Sequence, residues 1–303
     1  MRILYTGVDG QLGHEIKRAA LKKELLAVGL THHELDITQP ESIRAAISRV
    51  NPTVIINCAA YTAVDKAESE PELAFAVNQY GPAQLAKACS DHDIAFIHVS
   101  TDYVFDGRKD SAYVEDDPIC PIGIYGQSKA AGETQIAQLI NKYIIIRTSW
   151  LYGCKGNNFV KTMLRLGRTK DRIGVVDDQF GTPTHACDLA EAILTVASNI
   201  LKDDFSQWGI YHFANQGIVS WYEFAKNIFE IVSEKMELKL TKLDPLTTDQ
   251  YPTTAVRPEY SVLSVKKISQ QFGIDPPFYL ESLKEMLARL LAKSDCSDYD
   301  KCS

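Results

Sequence analysis

The chain has 303 residues, of which 45% are hydrophobic, and it carries a formal net charge of −7 at pH 7. This length provides a large core in one large domain or two coupled domains, and an acidic chain without a basic run is not expected to bind nucleic acid. The N-terminus lacks a long apolar segment, and no apolar run approaches the roughly 18 residues of a membrane span, so we expect a cytoplasmic protein without a membrane partner.

The first predicted element is a short apolar strand, Arg2–Thr6, followed by a glycine loop and a helical pattern over residues 14–23. The glycines, Gly7, Gly10 and Gly13, are three residues apart. This spacing permits a tight turn and lets a pyrophosphate approach the backbone at a helix N-terminus. A glycine loop without a ligand is the alternative, but its position after an N-terminal strand favours dinucleotide binding.

The second predicted strand, residues 25–30, ends in Thr-His-His rather than in an acidic residue. A carboxylate at that place would bind the ribose of NAD and repel the 2′-phosphate of NADP. The sequence therefore permits NADPH or NADH. Asp36 is a candidate acceptor for the adenine amino group, or else it stabilises the turn. Thr38 and Glu41 have the spacing of a capping box for the next helix.

Further strands are predicted at residues 54–56, 94–99 and 142–147, with a long helix over residues 70–90. Strands that alternate with helices predict an α/β fold, a doubly wound parallel sheet of the Rossmann type, with ligands at the carboxyl ends of the strands. After residue 150 the alternation weakens, which indicates a smaller α/β substrate-binding lobe. In this lobe, Ser220 and Glu223 have the spacing of a capping box, and a short strand is predicted at residues 238–240. The expected division is a dinucleotide-binding domain at 1–150 with a return at about 185–213, the lobe at 151–184 and 214–293, and a polar tail at 294–303.

Candidate catalytic groups follow the fourth strand and begin the next helix. Thr101 lies where the strand ends, and Tyr125 and Lys129 share one face of a helix predicted over residues 124–141. A nearby ammonium is expected to lower the pKa of the phenol, which makes Tyr125 a proton donor or acceptor. Thr101 can offer its hydroxyl to a substrate carbonyl. The alternatives are a surface Tyr above a solvated Lys and local backbone bonds for Thr101.

Together these motifs resemble the extended short-chain dehydrogenase/reductase family, and the segments 99–105, 147–153, 156–159, 178–184 and 257–261 resemble those of its members that reduce 4-keto nucleotide sugars. The resemblance covers residues 2 to about 292. It implies reduction of the C4 ketone of dTDP-4-dehydro-β-L-rhamnose to dTDP-β-L-rhamnose, the last step of dTDP-rhamnose synthesis for cell-surface polysaccharide. It assigns Tyr125 as proton donor, Lys129 to the nicotinamide ribose, and Thr101 to the C4 oxygen.

The resemblance also implies binding residues. For the substrate, Trp150 would pack its indole face on the apolar face of a 6-deoxy sugar. From the residues themselves, Arg257 is a candidate for the substrate diphosphate, because guanidinium binds phosphate bidentately, or else it pairs with an acid. The expected cofactor-binding residues are Gly7, Gly10, Gln11, Leu12, Gly13, Asp36, Ile37, Ala60, Tyr61, Thr62, Tyr125 and Lys129, and the expected substrate-binding residues are Thr101, Asp102, Trp150, Asn158 and Arg257.

Two features, at three positions, separate the chain from some relatives in this family. Related dehydratases have a Glu, needed for water elimination, where this chain has Tyr103. Some members hold magnesium at a dimer contact with three glutamates, of which only Glu15 is matched here, with Cys187 and Leu280 at the other positions. We therefore expect no metal, and a homodimer is possible. The seven cysteines form no C-x-x-C pair, which indicates neither a disulfide framework nor a thiolate metal site.

Two other functions are compatible with the same fold. The chain resembles a non-catalytic NADP-binding regulatory subunit, although the presence of Thr101, Tyr125 and Lys129 argues against that role. An epimerase or reductase acting on another nucleotide sugar is the second alternative. Net consumption of NADPH or NADH would identify a reductase, because an epimerase regenerates its cofactor.

Overall fold

The computed structural model describes residues 1–293, so the predicted polar tail at 294–303 lies outside the described residues. Its centre is a six-stranded parallel sheet in the order β10-β5-β4-β3-β1-β2. This sheet confirms the predicted fold class. Its strands are β1 (Arg2–Thr6), β2 (Leu26–Leu30), β3 (Val54–Asn57), β4 (Ala95–Thr101), β5 (Tyr143–Thr148) and β10 (Gly209–His212).

Helices cover both faces of the sheet because successive strand residues point to opposite sides. In β4, Ile97 joins the apolar cluster under two helices that include Ile16 and Ile193, while Phe96 joins the cluster on the other face with Ile136. The helices of the first face are α1 (Gln11–Lys22) and α8 (Ala186–Asn199), and those of the second are α2 (Pro40–Val50), α5 (Gly81–Asp91) and α6 (Ile124–Leu139).

The long helical segment predicted over residues 70–90 is present from Pro71 to Asp91, but it is not a uniform α-helix. After a short α3 (Val64–Ala67), the chain forms α4 (Pro71–Phe75), a π-helical turn at Ala76–Tyr80, and then α5. The Gly81 N–H donates to the carbonyl of Ala76, five residues earlier. Pro82 has no N–H with which to continue an α-helical ladder through this turn. Asn78 lies in the π turn, where such turns often serve a site.

A smaller lobe lies after β5 and has its own buried cluster, which includes Leu164, Phe224, Ile228 and Leu287. The capping box predicted at Ser220 is present, and Ser220 accepts from the Glu223 N–H at 3.0 Å. The lobe comprises β6 (Leu151–Tyr152), α7 (Phe159–Thr169), β7 (Arg172–Val176), β8 (Phe180–Gly181), β9 (Thr184–His185), β11 (Val219–Ser220), α9 (Trp221–Val232), β12 (Lys242–Leu246) and α11 (Tyr279–Lys293). Helix α10 (Lys266–Phe272) instead packs on the first face of the main sheet through Ile268 and Phe272.

Two local predictions are wrong. The strand predicted at residues 238–240 lies a few residues later, as β12, where it pairs with β7 and accommodates Pro245 at a sheet edge. The capping box predicted at Thr38 does not form. Gln39 is the N-cap of α2, and the Thr38 hydroxyl instead donates to the Asp36 carboxylate at 2.8 Å. Within residues 1–293, the helices are too short or too polar to cross a membrane.

Candidate active site

The glycine loop after β1 has the geometry of an anion-binding turn. Gly7 has a φ of +69°, and its carbonyl accepts the Gly10 N–H at 3.0 Å. A Cβ at Gly13 would lie 2.1 Å from the Gly7 oxygen, so helix and loop touch through backbone alone. Gly10 is the N-cap of α1 and has no side chain that could cap the first N–H groups. These groups therefore remain available to a phosphate, and the loop fits a dinucleotide.

The residues expected at the adenine end have structural roles in this conformation. The Asp36 carboxylate accepts from the backbone N–H of Thr38 at 2.9 Å as well as from its hydroxyl, which is the turn role considered from the sequence. Ile37 is buried and packs against Gly81, where an added Cβ would lie 2.7 Å from the Ile37 side chain. Leu12 is buried on α1. Contact between these residues and adenosine remains a prediction.

Asn78 organises the loop that follows β3, and the sequence reasoning gave it no role. Its Oδ1 accepts the Tyr61 N–H at 2.8 Å, while its Nδ2 donates to the Tyr61 carbonyl and to the Ser128 hydroxyl, each at 3.0 Å. One buried amide thus connects the loop of Ala60, Tyr61 and Thr62 to α6. Periodicity could not indicate this role, because Asn78 lies in what reads as an ordinary helix.

Helix α6 carries Tyr125 to the end of β4. The first N–H of the helix, from Ile124, is capped by the Glu68 carboxylate at 2.9 Å. The Tyr125 phenol lies close enough to the Thr101 hydroxyl for that group to affect its pKa, so the two predicted catalytic side chains meet. Burial raises the pKa of Tyr125 to about 12, and the nearby Thr101 hydroxyl offsets only part of this effect. The expected lowering of this pKa is wrong for this conformation, because the Lys129 amine is directed elsewhere.

Lys129 is almost fully buried, with 1% of its surface exposed. Its Nζ donates to the Val99 carbonyl at 2.7 Å and lies 3.2 Å from Nε2 of His98. Burial lowers the pKa of Lys129 to about 8, against an opposing effect from Glu133. Tyr125 and Lys129 leave the same helix one turn apart, as predicted, but the amine contacts β4 and not the phenol.

Two side chains complete the end of β4. The Asp102 carboxylate accepts from the Thr101 hydroxyl at 2.9 Å, and burial raises its pKa to about 6. Among the described residues its Oδ2 has no partner in good hydrogen-bond geometry, although the Ser261 hydroxyl lies near enough to favour the charged form. The Tyr103 ring packs edge-on against Tyr125 with ring centroids 5.6 Å apart, and burial raises the Tyr103 pKa. The site wall at this place is therefore aromatic.

Trp150 does not offer an open ring face in this conformation. Its indole stacks on Trp221, with ring centroids 3.5 Å apart and planes 7° from parallel. A Cβ at Gly181 would lie 2.5 Å from its Cε2, with Cζ2 and Nε1 nearly as close, so the Gly181 backbone covers the other face. Trp150 also has a φ of +46°, which is unusual for a non-glycine residue. The expectation that its face packs on the sugar is not met here, and the ring edge is the part that remains accessible.

Two further predicted substrate residues are held by protein groups. Asn158 is the N-cap of α7, and its Nδ2 donates to the Gln11 side chain at 2.9 Å, which joins the lobe to α1. Arg257 makes a two-bond ion pair with Asp65, at 2.7 and 3.2 Å. This pairing with an acid is the alternative weighed from the sequence. Arg257 is nevertheless close enough to Tyr103 to affect its pKa, so it lies at the edge of the catalytic cluster.

The one matched magnesium-type residue, Glu15, pairs with two cations. Its carboxylate accepts from Arg18 at 2.5 Å and from Arg289 at 2.8 Å. Within residues 1–293, no group of three or more His, Cys, Asp or Glu side chains has an arrangement that could hold a metal ion.

A parallel sheet, a glycine loop at its first strand, and Thr101 with Tyr125 at the end of β4 define a dinucleotide-dependent oxidoreductase of the extended short-chain dehydrogenase/reductase class. Comparison with known proteins agrees, since residues 1–292 match the family model described as RmlD substrate binding domain. The chain belongs to the dTDP-4-dehydrorhamnose reductase family.

Individual relatives support this assignment. The chain is 45% identical over 291 residues to the dTDP-4-dehydrorhamnose reductase of Aggregatibacter actinomycetemcomitans, covering 95% of this chain and 98% of the relative. The solved dTDP-4-dehydrorhamnose reductase of Clostridium acetobutylicum superimposes with a TM-score of 0.89 at 41% identity, covering 96% of this chain and 99% of that one. The Bacillus anthracis enzyme, solved in complex with NADP, gives 0.88 at 38% identity, with coverage of 95% and 99%.

Proposed function

We propose that this protein reduces the C4 ketone of dTDP-4-dehydro-β-L-rhamnose to dTDP-β-L-rhamnose, with NADPH as the principal reductant and NADH as the alternative. The observation that carries the proposal is the meeting of the Thr101 and Tyr125 side-chain oxygens at the carboxyl end of β4, in the same sheet whose first strand leads into the glycine loop. The substrate after which the reductases of this family are named and the NADP bound to one solved relative support the choice of substrate and cofactor.

The cofactor would be held by backbone more than by side chains. The N-terminus of α1 would receive the diphosphate at Gly10 and Gln11, and the loop of Ala60 and Tyr61 would lie along the dinucleotide. Lys129 would hold the nicotinamide ribose. When bound, the reduced nicotinamide supplies the hydride that the C4 carbon accepts.

The protein's own task is to supply a proton to the C4 oxygen. With a pKa of about 12, Tyr125 keeps its phenolic proton at neutral pH and can give it to the oxygen as the carbonyl is reduced. Thr101, whose hydroxyl lies beside that phenol, can bond the same oxygen and orient it. Tyr125 then recovers a proton from solvent. An ammonium at Lys129 would favour the transient phenolate.

Tyr103 favours reduction over dehydration. Elimination of water from a sugar requires a second acid or base that works near neutral pH. The Tyr103 pKa is raised by burial and its ring packs against Tyr125, so this position supplies an apolar wall and not a proton carrier.

The substrate would lie between the sheet and the smaller lobe, residues 151–184 and 214–293. Asp102 and the edge of Trp150 are the proposed sugar contacts, with Asn158 supporting the lobe beside them. Arg257 would bind the diphosphate after exchanging one or both of its bonds to Asp65. We further propose that the protein acts in the cytoplasm, as a homodimer, at the last step of dTDP-rhamnose synthesis for polysaccharide.

The test is turnover by the purified full-length chain. NADPH and NADH are each mixed with dTDP-4-dehydro-L-rhamnose, and loss of absorbance of the reduced nicotinamide is followed. Tyr125→Phe should lower kcat by about 10²–10⁴-fold while leaving the Kd for NADPH within a few-fold, and Tyr103→Phe, which keeps the aromatic wall, is the matched control. If neither cofactor is oxidised by the unsubstituted chain, the proposed function is wrong in substrate or in kind.

A further inference from the structure

A row of buried polar side chains runs across the sheet face beneath α6 and ends at Lys129. Thr6 ends β1, Asn57 ends β3, and His98 is the β4 residue paired with Asn57. Each of them, like Lys129, has at most 1% of its surface exposed. The links are Thr6 Oγ1 to Asn57 Oδ1 at 2.6 Å, Asn57 Nδ2 to His98 Nδ1 at 3.0 Å, and His98 Nε2 to Lys129 Nζ at 3.2 Å.

Backbone donors fix the orientation of the Asn57 amide. Thr6 Oγ1 accepts the N–H groups of Cys58 and Ala59 at 3.1 and 3.0 Å, so its own hydrogen is directed to Asn57 Oδ1. The Ala59 N–H also donates to that Oδ1 at 3.2 Å. Exchanging the oxygen and nitrogen of the amide would set an N–H₂ group against the Ala59 N–H, because a backbone N–H can only donate. Asn57 therefore presents its Nδ2 to His98.

The tautomer of His98 follows from that donor. Nδ1 accepts from Asn57, so it carries no hydrogen, and a neutral imidazole must then carry its hydrogen on Nε2. Burial holds the His98 pKa well below its ordinary value, which keeps the ring neutral. The Nε2–H therefore points at the Lys129 amine.

Only the neutral form of Lys129 can accept that hydrogen bond. An ammonium has three donors and no acceptor, whereas a neutral amine has a lone pair that can accept while an N–H still donates to the Val99 carbonyl. We propose that His98 is a positioning residue for Lys129: through the one-directional chain Thr6→Asn57→His98→Lys129 it donates to the neutral amine and favours that form over the ammonium.

The titratable groups around the Lys129 amine differ in whether they favour its ammonium form. On its own helix, Glu133 favours the ammonium, but that carboxylate is already bonded to Arg147 of β5 at 2.7 Å. At the end of β3, burial raises the pKa of Cys58 to about 12, so its thiol stays neutral. From β4, His98 is uncharged. The lowered pKa of Lys129, due first to burial, agrees with this arrangement.

The consequence for cofactor binding rests on the proposed function. If Lys129 is neutral at pH 8.5 and becomes an ammonium beside the bound ribose and phosphates, binding of NADPH takes up a proton from solvent. His98 would then make cofactor affinity depend on pH.

The first experiment does not depend on any cofactor. Full-length protein is labelled with [6-¹³C]lysine and with ¹⁵N-histidine. Two-bond ¹H–¹⁵N spectra should show His98 as the Nε2–H tautomer, and the Lys129 Cε signal, assigned with Lys129→Met, should titrate near pH 8. His98→Gln places a carboxamide that can accept from an ammonium, so the titration midpoint should rise by about one pH unit or more. Thr6→Ser keeps the hydroxyl and should leave the midpoint unchanged.

An Nδ1–H tautomer, a Lys129 midpoint at the ordinary lysine value, or an unchanged midpoint in a folded His98→Gln protein would each overturn the proposal. The second experiment measures NADPH binding by calorimetry at pH 8.5 in buffers of different ionisation enthalpy. Proton uptake should reach about three quarters of a proton per site, since a group with a pKa of about 8 is largely neutral at this pH, and it should fall at least twofold in His98→Gln. Absence of NADPH binding would contradict the proposed function alone, whereas binding with no proton uptake, or with equal uptake in both proteins, would contradict the role of His98.

Discussion

Asp102 gives a sharp test of the electrostatics of the site. Its carboxyl is 1% exposed, and burial raises its pKa from 3.8 to about 6. The folded protein therefore binds this proton more tightly than the unfolded chain does, and stability falls as the pH rises from about 4 to about 6. A shift of about two pH units at 1.36 kcal/mol each corresponds to a loss of about 3 kcal/mol at neutral pH.

Asp102→Asn removes the ionisable group and should remove this loss. The variant should melt at a higher temperature than the parent at pH 8, and the difference should shrink to near zero at pH 4, as followed by thermal unfolding across that range. Asp106→Asn is the control with the opposite sign. Hydrogen bonds from the Arg108 N–H and from Tyr113 lower the Asp106 pKa, so the stability that this carboxylate contributes is lost as the pH falls. A difference between Asp102→Asn and the parent that stays constant from pH 4 to pH 8 would refute the reasoning.

Three further predictions concern binding. Gly13→Ala brings a Cβ to 2.1 Å from the Gly7 oxygen, and it should destabilise the fold by about 1–3 kcal/mol and weaken NADPH binding, measured by unfolding and fluorescence titration. Arg257→Gln and Asp65→Asn should lower the melting temperature similarly, because they break the same ion pair, but only Arg257→Gln should raise KM for the nucleotide sugar, by about tenfold or more. Equal KM values would exclude Arg257 as a diphosphate ligand. The Glu34 carboxylate folds back onto the Thr31 N–H at the end of β2, where its negative charge would repel the 2′-phosphate of NADPH. Glu34→Gln should therefore increase kcat/KM for NADPH relative to NADH by about twofold to fivefold. An unchanged ratio would show that this charge does not face the ribose.

The sheet could be predicted because its signals are local. Apolar strands of four to seven residues that alternate with helical patterns are enough to predict a parallel sheet. The glycine loop could also be predicted from the sequence, because Gly7 needs a positive φ and Gly13 needs close backbone contact. Both depend on residues adjacent in the chain.

The side-chain network could not be predicted, because its contacts are long-range. Asn57 and His98 read as the polar end of one strand and a polar residue in another, and only the sheet register brings them together. Asn78 was hidden in a helical pattern that the π turn interrupts. The direction of the Lys129 amine likewise depends on the β4 carbonyl beneath it and not on the one-turn spacing to Tyr125.

The order of the strands has a consequence for how the molecule can be divided. Because β10 pairs with β5, residues 151–184 of the smaller lobe are inserted before the last strand of the sheet, and the rest of the lobe follows that strand. A fragment ending at residue 150 would leave the buried strand Tyr143–Thr148 as an open apolar edge, and such edges promote aggregation. Specificity can therefore be exchanged between relatives by grafting loops within the lobe, but not by swapping a detachable C-terminal module.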